Sequence, residues 1–490
     1  MINRVVYNPL NGRLTASSDN TTFSYEVAKT KVGSNHWCST ENNSNNARNV
    51  NFSNGNANNN NKYNGNVVRP VAALEDYKVP KDFIYSVWVA YHDCIRGKKR
   101  SEQAIAYMQV ANEDIPMLAY ELWTGTYRPK TSTCFLVKYP KWREVFAAGF
   151  RDRIVHHWIC LRLEPLFEHR FISQGNKSFN CRKGFGTDAA VNHVSDAMDR
   201  ISESYHKKAW VFKGDIVSFF MSIDKDLLWE LLEKFMRRWR FRESHFGWER
   251  YGLADQPNMY WDNLIPAVKA VVMHHPELDC VLNSPVSWWR HMAQNKSLFT
   301  SPTGEPIGNL TTQQFANFLM SHFVSYVLYL FRGKNYEVAQ FVDDFVIICD
   351  DLQFLVNAVP KIADFFEKKL HLKMHTDKRY LQQVSHGVLF VGTYVKPKRL
   401  YLSNRVVARM IERCKGYGRL LKENAFDGFD LCHIEQTLNS YLGFCRRRRT
   451  YNLRKLCISL MGETFWSYFY VKGRYESIHV INRYKPIKLL

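Results

Sequence analysis

The stretch from Tyr336 to Asp351 reads YEVAQFVDDFVIICDD. The runs YEVAQF and FVIIC are rich in β-branched and aromatic side chains, the composition of buried strands. Two such runs in close succession predict a tight hairpin, with Asp343 and Asp344 as its connection. Asn-Gly or Asp-Gly is the usual choice there, because both turn positions take positive φ. Asp-Asp is costly in conformation, and its carboxylates repel each other. A divalent cation removes that repulsion, since hard ions such as Mg²⁺ take carboxylate oxygens together with substrate phosphates. Asp350-Asp351 serves as an internal control. That pair precedes LQFLVNAVPKIADFF, a helical pattern, and reads as a helix N-cap.

A further acid lies upstream, in WVFKGDIVSFFMSID, where a β-rich run leads into Asp215 and then Phe219-Phe220. Acids in separate segments suit phosphoryl transfer, in which two metals about 3.5–4 Å apart clamp the attacking and leaving oxygens.

The chain has 490 residues and a formal net charge of +21. Its length predicts two to four structural units. The excess charge sits in runs such as Lys98-Lys99-Arg100, Arg237-Arg238 and Arg446 to Arg449, and points to a polyanionic partner. Eleven cysteines include no CxxC pair, which argues against zinc-ribbon and dithiol redox chemistry. The polar start MINRVVYNPLNGR lacks the apolar core of a signal peptide. The longest clear apolar run, FVSYVLYLF, falls short of the ~20 residues that span a bilayer. A soluble cytoplasmic protein without membrane contact is expected.

Composition divides the chain into an Asn-rich segment over 1–75, a mixed α+β region over 76–400 and a basic helical region over 401–490. Within the second, DFIYSVWVAYHDCIRGKKRSEQAIAYMQVANEDIPMLAYELWTG carries apolar residues three and four apart and predicts two amphipathic helices.

These segments together resemble reverse transcriptases. FVDD resembles the catalytic hairpin of that family, and GDIVSFF its first palm motif, an Asp followed five residues later by an aromatic. SPTGEPIGNLTTQQFANFLM resembles the motif that contacts template and nucleotide, while KWREVFAAGFRDRIVHHW and SFNCRKGFGTDAA resemble two fingers motifs. LHLKMHTDKRY, GVLFVGTYV and SYLGFCRRRRTYNLRK are similar to the triphosphate-proximal lysine motif, the primer grip and the thumb. The resemblance runs from about residue 76 to 480. It implies a right-hand polymerase fold, with fingers and an antiparallel palm over 76–400 and a helical thumb over 401–490.

The resemblance also implies roles. Asp215, Asp343, Asp344 and the Ile216 carbonyl become ligands of two Mg²⁺ ions, with Mn²⁺ as a substitute. Phe220 becomes the steric gate against a ribose 2′-hydroxyl. Arg143, Arg182 and Lys183 hold the triphosphate of the dNTP, and Lys378 faces the leaving pyrophosphate. Ile307 and Gly308 touch the nascent pair. Gln313, Phe390, Gly392 and Arg446, Arg447, Arg448 and Arg449 contact template and primer. Each role has a plain structural alternative: a packed aromatic for Phe220, surface ion pairs for the arginines and an exposed lysine at 378.

One departure narrows the resemblance. Ile307-Gly308-Asn309-Leu310-Thr311-Thr312-Gln313 stands where most reverse transcriptases have Gln-Gly-x-x-x-Ser-Pro. An aliphatic residue, Gly, a hydroxyl and Gln at this spacing resemble the enzymes of diversity-generating retroelements, as do HHPELDC and NKSLF. Replacing Gln by Ile removes a hydrogen-bond donor, so lower fidelity is expected. Such enzymes copy a template RNA with errors at adenines, through an RNA/cDNA duplex, beside a small basic helical accessory protein. HWCSTENNSNNARNVNF and YNGNVVRPV then resemble a template repeat read in frame; Asn codons are adenine-rich, and residues 1–75 are expected to be disordered. Three alternatives stand beside this reading: a flexible linker for that segment, a retron-like, group II intron-like or phage-defence reverse transcriptase, and a non-enzymatic nucleic-acid-binding remnant with a display domain.

Overall fold

The computed structural model describes residues 79–98, 101–138, 141–290, 297–424 and 426–485, together with the backbones of five strands between Val5 and Asn61. Strands β1 (Val5–Asn8) and β2 (Arg13–Ala16) pair antiparallel, as do β3 (Asn35–Glu41), β4 (Asn46–Asn51) and β5 (Ala57–Asn61) in a sheet of their own. Over these ranges the backbone differs from the expected disorder. Antiparallel pairing satisfies N–H and C=O groups whatever the side chains, so the poor strand propensity of Asn does not forbid it. The rest of the 1–75 expectation lies outside the described residues.

Helices α1 (Lys81–Ile95) and α2 (Glu102–Trp123) are the two that the spacing predicts. Phe83, Val87, Tyr91 and Cys94 line the buried face of α1, and Ser101 caps α2 by accepting from the Ala104 amide. Next come β6 (Ser132–Val137), β7 (Arg143–Ala147), α3 (Phe150–Ser173), α4 (Thr187–Ile201), β8 (Trp210–Gly214), α5 (Phe219–Ser222) and α6 (Lys225–Phe246). They are followed by α7 (Trp261–Val272), β9 (Cys280–Leu282), α8 (Val286–Trp289), α9 (Leu310–Leu330), β10 (Tyr336–Phe341), β11 (Asp344–Cys349), α10 (Leu352–Leu370) and β12 (Tyr380–Gln383). The remainder is β13 (Val388–Phe390), β14 (Thr393–Lys396), β15 (Arg399–Leu402), α11 (Asn404–Glu423), α12 (Gly428–Cys445), α13 (Tyr451–Ser459), α14 (Phe465–Tyr468), β16 (Phe469–Lys472) and β17 (Ser477–Val480).

The chain divides into two compact units, Met1–Arg170 with Ser218–Leu319, and Phe171–Val217 with Met320–Leu490. The first contains the sheet β7-β6-β9, antiparallel between β6 and β7 and parallel between β6 and β9. The second contains the sheet β10-β11-β8-β12, antiparallel throughout.

Both faces of that second sheet are covered, which explains the near-continuous apolar runs of β10 and β11. Val211, Ala339, Val346 and Ile348 pack in one core with Val194, Met198 and Ile201 of α4. In a second aromatic group, the Phe345 ring lies 4.6 Å from Phe323 of α9 and 5.6 Å from Phe366 of α10.

The basic C-terminal region is helical, as predicted, around Met410, Cys414, Leu421, Leu438 and Leu442. It also carries the β16-β17 hairpin, which the helical reading passed over although FYVK and SIHV flank a Gly-containing turn. Among the described residues, no helix is long and apolar enough to cross a membrane.

Candidate active site

The ladder between β8 and β11 ends at the pair Gly214↔Phe345. The next residue on each strand is an acid, Asp215 on one and Asp344 on the other, so antiparallel pairing delivers both to the same end of the sheet. Gly214 is required by packing: a Cβ there would sit 2.3 Å from Cζ of Phe345. Beyond β8 the chain continues extended. Ile216 bridges Met374 through two flanking hydrogen bonds, Val217 N–H to the Lys373 carbonyl at 2.9 Å and His375 N–H to the Asp215 carbonyl at 2.8 Å. Those two bonds use the neighbours of Ile216 and leave its own carbonyl outside the bridge.

The hairpin turn differs from the sequence expectation by one residue. Phe341 pairs with Asp344, so the connection is Val342-Asp343 and Asp344 opens β11. Val342 takes φ +58°, a left-handed conformation that is a strained choice for a β-branched residue. A polar network holds it there. The Val342 amide donates to Asn180 Oδ1 at 3.0 Å, and Gln340 Nε2 donates to the Val342 carbonyl at 2.7 Å and to Asn180 Oδ1 at 3.2 Å. Asn180 and Gln340 are both buried. Asp351 does cap α10 as predicted, accepting from the Phe354 amide at 2.9 Å.

Two ammonium groups reach the acids. Lys378 Nζ donates to Asp215 Oδ2 at 2.7 Å, and Lys213 Nζ lies 3.1 Å from Asp344 Oδ1. Lys213 also donates to the Leu389 carbonyl of β13 at 2.8 Å. The Asp344 carboxyl is pushed up to about 6, chiefly by burial; Lys213 opposes the shift, and the charges of Asp343 and Asp215 add to it. Sequence reading missed Lys213, Asn180 and Gln340. A signal for the first existed, because two residues apart on a strand means the same side of the sheet, and Lys213 is two before Asp215.

Among the described residues, no three His, Cys, Asp or Glu groups form a ready-made metal nest. The donor chemistry nevertheless fits a hard cation, since Asp344 lies in the fields of Asp343 and Asp215 and two lysines supply the positive charge at Asp215 and Asp344.

Other residues singled out from the sequence fall into two groups. In the first unit, Phe220 and Ile307 pack on one apolar cluster with Phe146 and Leu298, and the Phe146 amide donates to the Ile307 carbonyl at 2.8 Å. Gly308, at φ +129°, is required, because a Cβ would meet the Phe146 carbonyl oxygen at 2.8 Å. Arg143 of β7 and Gln313 of α9 are exposed.

In the second unit, Arg182 is buried and donates to the Ser178 carbonyl and to Asn176 Oδ1, clamping its own loop, while Lys183 is exposed. The Phe390 ring is fully buried in the core beside Val346. Gly392, at φ +77°, accepts from the Ser403 amide. Arg446, Arg447 and Arg449 are exposed, but Arg448 departs from the expected phosphate-gripping run. Its guanidinium lies 3.1 Å from Asp188 Oδ1, donates to Thr393 Oγ1 at 2.9 Å and covers the Phe444 ring at 3.9 Å, so it ties elements of this unit together.

No protein-family model and no curated protein matches the chain. Solved telomerase structures are similar at low identity. The Candida albicans telomerase in complex with a TWJ fragment of telomeric RNA matches at 13% identity and TM-score 0.42, covering 77% of this chain and 70% of that one. Two apo telomerase structures from Candida tropicalis match at TM-scores 0.41 and 0.37, with 14% and 12% identity. They cover 69% and 56% of this chain and 58% and 55% of theirs, so the chain spans little more than half their length. At TM-scores below 0.5 these likenesses do not decide the family.

Proposed function

We propose that the chain is an RNA-directed DNA polymerase of the right-hand kind, and within that class the reverse transcriptase of a diversity-generating retroelement. The observation that carries the reading is the delivery of Asp215 and Asp344 to one end of adjacent antiparallel strands, beside a strained turn that contains Asp343. Three carboxylates placed so by elements far apart in sequence are costly unless a cation is to be held.

Asp215, Asp343, Asp344 and the Ile216 carbonyl would hold Mg²⁺, or Mn²⁺ in its place. When bound, the ions supply charge neutralisation and Lewis-acid polarisation for phosphoryl transfer. The chain's own residues do the rest. Lys378 and Lys213 hold Asp215 and Asp344 by ion pairs and oppose their negative charge before substrate arrives. Phe220 and Ile307, packed on one apolar cluster of the first unit, keep the steric-gate and aliphatic-contact roles that the resemblance implies. Ile307 offers no hydrogen-bond donor there, which supports relaxed base selection. Template RNA, the RNA/cDNA duplex and a small basic accessory protein are the partners of this reading, and the exposed Arg446, Arg447 and Arg449 suit duplex phosphates.

Primer extension on poly-rA with Mg²⁺ tests the chemistry. Wild type incorporates, whereas Asp343→Ala and Asp344→Ala drop to background; equal incorporation by all three would end the polymerase reading. Sequencing the cDNA tests the finer assignment, which requires misincorporation concentrated opposite template adenines.

A further inference from the structure

Helix α6 in the first unit carries an unusual surface. Lys234, Arg238, Phe241, Arg242 and His245 recur at intervals of three, four and one, which places them in one stripe. Leu228, Leu232, Met236 and Trp239 are buried on the other side. Phe241 is 54% exposed and Phe246 46% exposed, although both are large apolar rings. Phe241 stacks on His245 at 3.9 Å, and the Arg250 guanidinium covers Phe246 at 4.8 Å.

The charges are arranged just as unevenly. Arg237 and Arg240, off the stripe, are paired with Glu233 and Asp262, each at 2.7 Å. Arg238 and Arg242, on it, have no carboxylate partner among the described residues. Arg242 lies instead over Trp239 at 4.7 Å and Tyr251 at 5.3 Å. Arg170, near the end of α3, adds a third guanidinium. Burial and the charge of Arg238 together pull Arg170 down to about 10, and burial followed by Arg238 also lowers Arg242. Like charges held together, with Arg238 exposed and Arg170 and Arg242 half-buried, call for a polyanion. Flat exposed rings at this end of the helix, Phe241 on the stripe and Phe246 beside it, call for one with flat faces of its own.

We propose that this stripe is a binding site for single-stranded nucleic acid, with phosphates on Lys234, Arg238, Arg242 and Arg170 and unpaired bases stacked on Phe241 and Phe246. An acidic peptide would use the charges but brings no flat face to lay on the exposed Phe241 and Phe246 rings. Binding here requires no synthesis, so the site stands or fails apart from the polymerase reading.

The test uses the full chain and a labelled 20-nucleotide oligo(U) RNA, followed by fluorescence anisotropy across a salt series. Arg238→Gln is expected to lower the slope of log affinity against log salt by about 1, as for one lost phosphate contact. Arg237→Gln and Arg240→Gln leave the slope unchanged, because those groups are already paired. Phe241→Ala weakens the oligo(U) complex about fivefold or more while a blunt RNA duplex of the same length is affected less. Melting curves identical to wild type for Arg238→Gln establish that the loss is not one of folding; Lys234→Gln, at an exposed position, gives a second reading of the slope. Unchanged slopes in both charge variants overturn the proposal. So does an equal loss for oligo(U), duplex and poly-glutamate in Phe241→Ala, which would make the stripe a charge patch without base stacking.

Discussion

Lys213 places its ammonium 3.1 Å from Asp344 Oδ1 while donating to the Leu389 carbonyl at 2.8 Å. One side chain therefore neutralises a half-buried acid and anchors β13. Replacing it by Met strips Asp344 of its counter-charge, and breaking such a pair by removing one partner costs on the order of 3 kcal/mol. Urea unfolding of Lys213→Met without divalent ions should show that loss. Added Mg²⁺ should recover part of it if the cation takes over the neutralising role.

Asn180 accepts from both the Val342 amide and the Gln340 side chain, holding the strained turn that contains Asp343. Asn180→Leu leaves two buried donors unsatisfied, at a cost of about 1–3 kcal/mol each at most. Primer extension should fall more than stability does, since the turn is free to relax from φ +58°. Val342→Gly, by contrast, removes strain that Val carries there and should be far milder than an ordinary core Val→Gly change. Thermal melting of the two variants side by side measures the difference.

Gly214 and Phe345 face each other where β8 and β11 end. Gly214→Ala forces a Cβ to within 2.3 Å of the ring, and overpacking of this kind costs about 1–3 kcal/mol. A Phe345→Leu partner change should restore part of the loss. A double-mutant cycle that shows simple additivity would contradict the contact.

Glu305, two residues before Ile307, is fully enclosed, and its carboxyl is pushed from 4.5 up to about 8 by burial, against the smaller pull of Lys225 and the Thr312 hydroxyl. Between those pH values the unfolded chain has released the proton and the folded chain keeps it. Stability therefore falls as pH rises from 4.5 to 8, and no penalty applies below 4.5. Glu305→Gln should match wild type near pH 4.5 and melt higher at pH 8, by roughly 1–3 kcal/mol in stability. Parallel pH-dependent curves for the two proteins would refute the assignment.

Some of this was legible without coordinates. YEVAQF and FVIIC do form the two strands of a hairpin, Asp351 does cap the helix after it, and α1 and α2 lie where the three- and four-residue spacing places them. Those features follow from side-chain period and capping chemistry, which act over a few residues. The turn position did not follow. Its Asp-Asp reading assumed that both acids sit outside the ladder, whereas the Phe341↔Asp344 pair draws Asp344 into β11. Phe390 and Arg448 likewise looked like contact residues and are buried, because a ring or guanidinium shows no sign in sequence of which neighbour will enclose it.

By itself, then, the sequence determined which segments carry acids, which become strands or helices, and that the chain carries a large positive charge. Tertiary structure alone decided that Lys378 meets Asp215 from 163 residues away, that Lys213 reaches Leu389 across 176, and that β8 lies between β11 and β12. The physical reason is one of range. Propensity and period are written into neighbouring residues, but sheet order is settled by which apolar faces can be buried together, and that is a property of the whole unit.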